Sequence, residues 1–131
     1  MEEAVYGFPR SRRLLTSAAY QRVFEQAAKS SDSRLTVLAR VNGANPPRLG
    51  LAISKRNIRR ASDRNRIKRL IRESFRLNQH DLAGLDIIVM ARTAATQADH
   101  ETLFRSLQKH WAHLVKQCKP SWSPSSNFTA T

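Results

Sequence analysis

Acidic residues are scarce in this chain: ten Asp and Glu stand against 23 Lys and Arg, for a formal net charge of +13 over 131 residues. A nuclease built on protein carboxylates clusters its acids around a divalent cation. Here they are scattered, and no such cluster is visible. Cysteine is almost absent too: Cys118 stands alone, so no intrachain disulfide can form and a reducing, cytoplasmic setting is expected. None of the four glycines builds a phosphate-cradling loop, and no Ser, His and Asp set has a nucleophile motif around it. No apolar run reaches the roughly 18 residues of a membrane span, and the opening MEEAVYGFPRSRR lacks a signal peptide's apolar stretch. His110 and His113 stand at i, i+3 without a neighbouring Cys or acid, so no metal site is expected from them. What remains is a single globular domain that binds rather than catalyses. Its charge calls for a polyanion, with nucleic acid the first candidate and an anionic membrane surface the second.

What the chain does have is a concentration of charge between Lys55 and Arg76. Those 22 residues carry ten Lys and Arg against two acids, Asp63 and Glu73, a surplus of eight positive charges. The second half also has a helical period. At about 100° per residue, Ile67, Leu70, Ile71, Ser74 and Phe75 share one face. Asn65, Arg69, Arg72 and Arg76 project from the opposite face, with Lys68 on one flank and Arg66 on the other. Like charges one helical turn apart repel by a few tenths of a kcal/mol per pair, and Glu73 is the only acid placed to pair along the helix, with Arg69 and Arg76. A polyanion offsets that repulsion.

The rest of the chain reads as an α/β domain over residues 16–118, between a basic arm over 1–15 and a tail over 119–131 of disordered composition. Gly7 and Pro9 break the arm, where Arg10, Arg12 and Arg13 cluster. Thr16 or Ser17 caps a short helix whose Tyr20, Val23, Phe24 and Ala27 form a stripe. Tyr20 and Phe24 are open to two roles, core packing or stacking on exposed bases. Residues 34–41 alternate as a strand, residues 42–47 carry turn chemistry, and Leu49, Leu51 and Ile53 alternate with Gly50, Ala52 and Ser54; this reads as an antiparallel hairpin with one shallow face. Residues 86–91 form an apolar run suited to a central strand. Asp99 caps a last helix with Leu103, Leu107, His110, Trp111 and Leu114 on one side. Strand, basic helix and strand make a βαβ-like crossover, which general statistics would make right-handed.

From Arg48 to Arg76, RLGLAISKRNIRRASDRNRIKRLIRESFR closely resembles the protein component of bacterial ribonuclease P. The family's RNR signature stands as Arg64-Asn65-Arg66, followed by Ile67-Lys68-Arg69 and Arg72-Glu73. FPRSRRLLTSAAYQRVF is similar to the family's entry into its first helix and IIVMAR to its last strand, so the resemblance runs over residues 8 to 115. It implies a two-layer α/β (α+β) sandwich: a four-stranded mixed sheet, three main helices and an unusual left-handed βαβ crossover, as in the ribosomal protein S5 domain 2-like fold. It also implies the accessory subunit of an endoribonuclease that removes 5′ leaders from precursor tRNA, with catalysis by an RNA subunit and Mg2+ held by RNA and substrate rather than by the protein.

By this resemblance, Lys55, Arg56, Arg60, Arg64, Asn65, Arg66, Lys68, Arg69 and Arg72 face the RNA subunit. Arg10, Arg13, Tyr20 and Phe24 line a cleft for the single-stranded leader, and no residue is catalytic. The implied partners are ribonuclease P RNA and precursor tRNA, with no membrane, no DNA and a monomeric protein in a 1:1 complex with the RNA. Two departures stand out: Leu38 replaces a cleft aromatic of many members, and Asn57-Ile58-Arg59-Arg60-Ala61 replaces a Gly-containing turn. The alternative is a ribosomal or other structured-RNA binding protein of similar fold. A protein-only nuclease and a DNA-reading helix are the more distant rivals.

Overall fold

Thr16 opens the first helix: from an extended backbone, its hydroxyl accepts a 3.1 Å hydrogen bond from the Ala19 amide, satisfying one of the helix's unpaired donors. The computed structural model describes residues 13–14, 16–43 and 46–118. Its elements are α1 (Ser17–Glu25), β1 (Ala28–Ser31), β2 (Leu35–Val41), β3 (Arg48–Ala52), α2 (Ala61–Leu77), β4 (Leu85–Ala91), a short 3-10 helix (Thr93–Gln97) and α3 (His100–Cys118). Arg10, most of the expected arm over 1–15 and the expected tail over 119–131 lie outside the described residues.

The four strands form one mixed sheet in the order β1-β2-β4-β3, a four-stranded α+β architecture with three helices. The expected antiparallel hairpin between residues 34–41 and 48–54 is corrected. β2 and β3 do not pair; β4 lies between them, with Val89 opposite Val37 of antiparallel β2 on one side and Leu51 of parallel β3 on the other. Composition explains the insertion. β4 (LDIIVMA) is buried along nearly its whole length, and only a central position gives such a strand two neighbours and two covered faces. β1, Ala-Lys-Ser-Ser, has no apolar alternation and joins at the edge through its antiparallel ladder with β2.

Strand alternation separates two cores. Val37, Ala39, Ile87 and Val89 face α2 and α3, whereas Leu38 and Ile88 point the other way and pack with Leu14 and with Ala19 and Val23 of α1. The five positions expected to hold α2 down, Ile67, Leu70, Ile71, Ser74 and Phe75, are all buried. Ser74 belongs there because Trp111 Nε1 of α3 donates to its hydroxyl at 2.9 Å, leaving neither polar group unpaired. The Trp111 ring also meets Phe75 edge-on, centroids 6.3 Å apart. Asn78 ends α2 by donating its side-chain amide to Ser74 O at 2.7 Å, and Gly84, at φ +85°, turns the chain into β4. Asp99 caps α3 through the Thr102 amide at 2.8 Å.

The two histidines of α3 part company. His113 is exposed, while His110 is buried, its Nδ1 2.7 Å from Ser30 Oγ and its Nε2 3.1 Å from Asp32 Oδ2. The acid missing from its sequence neighbourhood comes from the turn between β1 and β2. Burial lowers the His110 pKa against the opposing pull of Asp32. In Asp32, burial acts to raise the pKa, but hydrogen bonds from Ser106 and from the Leu35 and Arg34 amides prevail and take it down to about 2. No described helix is long and apolar enough to cross a membrane.

Candidate nucleic-acid interface

With its apolar face spent on the core, α2 presents Asn65, Arg69, Arg72 and Arg76 outward. Among the described residues only Arg76 of this row has an acid partner, Glu73 at 2.8 Å. The turn leading into α2 adds Lys55, Arg56, Arg59 and Arg60, all exposed, around Ile58, which is 1% exposed and anchors the turn in the core.

The two arginines of the RNR signature are tied to the protein's own backbone. Arg64 Nη1 donates to the carbonyls of Ile58 at 2.9 Å and Arg59 at 2.8 Å. It closes the basic turn over a helix end that Arg60, as N-cap, leaves without a side-chain cap. Arg66 leaves the helix on the far flank, its Nη2 donating to Thr96 O at 3.0 Å and its Nη1 to Ala98 O at 3.4 Å. Asn65 and Arg69 face solvent.

On the opposite flank, Lys68 and Arg72 join Arg13, Leu14, Tyr20, Leu49 and Leu51 around an open pocket of about 220 Å³. Arg13 arrives there because residues 13–14 lie beside the edge of β3: Arg13 forms a parallel bridge with Leu49, and the Leu14 amide donates to Leu49 O at 3.0 Å. Tyr20 reaches the same edge, its hydroxyl accepting from the Leu51 amide at 3.1 Å and donating to Leu51 O at 3.4 Å. Its ring lies on Gly50, where a Cβ would fall 2.7 Å from Cζ. The shallow face expected from Gly50, Ala52 and Ser54 is thus filled by Tyr20 at its first member. Burial first, and then the neighbouring Arg13 charge, lower the Arg72 pKa. An anion in the pocket relieves both effects, and guanidinium forks suit phosphate oxygens.

The pocket therefore joins two sets that the sequence kept apart: Lys68 and Arg72 from the RNA-facing set, Arg13 and Tyr20 from the leader set. Phe24, one turn beyond Tyr20, does not line it and stands 46% exposed, on the surface rather than in the core. Leu38 is buried under α1 in the smaller core. Arg10 lies outside the described residues. The apolar wall was only half legible, since alternation pairs Leu49 with Leu51 but nothing marks Leu14. Among the described residues no three His, Cys, Asp or Glu side chains converge as a protein metal site requires.

The family model described as Ribonuclease P matches residues 8–115. The chain is 57% identical over 119 residues to the ribonuclease P protein component of Methylococcus capsulatus, covering 91% of this chain and 93% of that one. It is 51% identical over 114 residues to that of Chromohalobacter salexigens, covering 86% and 89%. Among solved structures, the RNase P protein of Staphylococcus aureus superposes with a TM-score of 0.70 at 30% identity, covering 82% of this chain and 94% of that one. The Thermotoga maritima protein gives 0.67 at 28% identity, covering 76% and 94%.

Proposed function

The chain belongs to the ribonuclease P protein family, and from that premise we propose that α2, the basic turn before it and the Arg13–Tyr20 pocket form one surface where catalytic RNA and precursor tRNA meet. It is the protein subunit of a ribonucleoprotein endoribonuclease that processes tRNA 5′ ends. In this reading residues 16–118 are the RNA-binding domain and the flanking segments are accessory. Arg69, Asn65 and the cations of the 55–60 turn contact the catalytic RNA, with Arg64 and Arg66 bracing that surface. Lys68, Arg72 and Arg13 take the phosphates of the 5′ leader beside Tyr20, with Phe24 along its path.

One observation carries the reading: three cations converge on an aromatic ring with no carboxylate among the pocket's lining residues. Crowding like charges costs free energy in the isolated protein, and a phosphodiester chain reverses that cost. Bound between two RNAs, the same charges screen their mutual repulsion and hold the leader for docking. In this reading hydrolysis belongs to the RNA subunit and Mg2+ to RNA and substrate, as membership of the family implies. The complex is one protein to one RNA and works in the cytoplasm.

Reconstitution tests this. Protein, catalytic RNA and precursor are combined, and affinity is compared between precursors with and without a leader. Arg72→Ala is expected to reduce the leader's contribution while leaving leaderless tRNA unaffected. Clean 5′ cleavage by RNA-free protein with Mg2+, or co-purification with ribosomal RNA in place of one ribozyme-sized species, overturns the assignment.

A further inference from the structure

The turn between β3 and α2 crowds Lys55, Arg56, Arg59 and Arg60 together, all exposed, and their mutual repulsion favours a chain that spreads open. Several holds oppose it. Tight turns often rely on glycine for a left-handed backbone, yet this one contains no glycine and no residue at positive φ. Ile58 is its plug, 1% exposed and packed in the larger core. The Ile58 amide donates to Ser54 O at 3.0 Å and the Asn57 amide to Ser54 Oγ at 3.2 Å, while Arg64 of α2 holds the Ile58 and Arg59 carbonyls.

The last hold comes from the sheet. β3 ends at Ala52, opposite Met90, whereas β4 continues to Ala91. The Arg92 amide donates to Arg34 O beside β2 at 2.8 Å, and a trans peptide points its carbonyl the opposite way, so Ala91 O faces the side that β3 has left. Asn57 Nδ2 donates to it at 3.4 Å. A side-chain amide thus continues the ladder where the strand stops, and it ties the basic turn to the end of the central strand.

We infer that Asn57 is a positioning residue for binding of the RNA subunit: it holds the turn closed against its own charge, so that Lys55, Arg56, Arg59 and Arg60 meet the RNA already arranged. This rests on the reading above, in which the turn contacts catalytic RNA. A turn that is closed before binding adds no ordering cost to the complex. Where it is open in part of the population, apparent affinity falls by the fraction still closed. Asn57 itself carries no charge and displaces no counterion, so its effect lies in the strength of binding and not in the number of phosphates neutralised.

The test measures affinity of the full-length protein for its catalytic RNA over a salt series, together with hydrogen exchange of the Ile58 amide in the free protein. Asn57→Ala keeps every cation. It is expected to weaken binding about fivefold at each salt concentration, the net worth of one hydrogen bond, on a log K against log salt line parallel to wild type. The Ile58 amide exchanges faster in the same variant, and Asn57→Gln, which keeps the donor on a longer arm, recovers part of both losses. Arg59→Ala, which removes a cation, flattens the slope by about one unit instead. Asn57→Ala binding like wild type overturns the inference, and so does a flattened slope, which marks a direct contact with RNA, or weakened binding with Ile58 exchange unchanged. An unaltered slope in Arg59→Ala removes the reading of the turn as an RNA contact, and this inference with it.

Discussion

Replacing Gly50 with alanine adds a single carbon, and it meets the pocket's aromatic wall. The new Cβ falls 2.7 Å from Tyr20 Cζ and 2.8 Å from the hydroxyl, well inside the roughly 3.5 Å at which such atoms rest. The ring must swing away, and its hydroxyl then leaves the Leu51 amide and carbonyl. Two contributions oppose each other. Alanine in a strand is favoured over glycine by about 0.5–1 kcal/mol through the entropy of the unfolded chain. Stranding the Leu51 amide costs about 1–3 kcal/mol, and the lower half of that range applies because the pocket is open to water. The expected net effect is a loss of about 1 kcal/mol. In a Tyr20→Ala background the new carbon meets nothing, so the same substitution stabilises by about 0.5–1 kcal/mol. The double-mutant cycle then closes on a coupling of about 1.5–2 kcal/mol. Urea unfolding of the four proteins, followed by far-ultraviolet circular dichroism, measures it. An identical effect of Gly50→Ala in both backgrounds refutes the packing of the ring on this residue.

Trp111→Phe strands the Ser74 hydroxyl in the core and is expected to lower unfolding free energy by about 2 kcal/mol, with a smaller loss in a Ser74→Ala background, as denaturant titration would show. Arg69→Ala is expected to flatten the log K against log salt slope of RNA binding by about one unit and leave the melting temperature unchanged. Arg66→Ala is expected to lower the melting temperature as well, because it frees the Thr96 and Ala98 carbonyls. His110 has a folded pKa below its unfolded value near 6.5, so below that pH the unfolded chain binds more protons and stability falls on acidification. Asp32, the carboxylate facing it, stays ionised in that window, and His113 on the same helix adds to the resistance to protonation. Urea midpoints between neutral pH and pH about 5 should drop in wild type and stay flatter in His110→Gln.

The buried face of the basic helix was legible because a single period sets its five inward positions, Ser74 among them. The central strand was legible for a related reason, since few strands but a middle one tolerate so unbroken an apolar run. The sheet's order was not. Turn chemistry at residues 42–47 looks the same whether the flanking strands pair or a third enters between them, and that choice is made by β4, more than thirty residues on. β1 left no trace, since Ala-Lys-Ser-Ser satisfies backbone pairing without a buried stripe. On the candidate surface, charge density singled out Lys68, Arg69 and Arg72 as exposed or half-exposed cations but could not tell which arginines spend their donors on backbone carbonyls, as Arg64 and Arg66 do. Nor could it foresee that an isolated bridge to β3 brings Arg13 across to Arg72.

Because the middle strand is the last of the four in sequence, synthesis must pass Ala91 before β2 and β3 gain a common neighbour. A growing polypeptide that stops short of it holds only a two-stranded ribbon and an isolated third strand, each marginal in water. The densest run of cations then has no floor to rest its apolar side upon. Closure waits on contacts distant along the chain, a slow class of folding step. The positive surface is thus assembled late, and a nascent fragment has no finished face to offer passing polyanions.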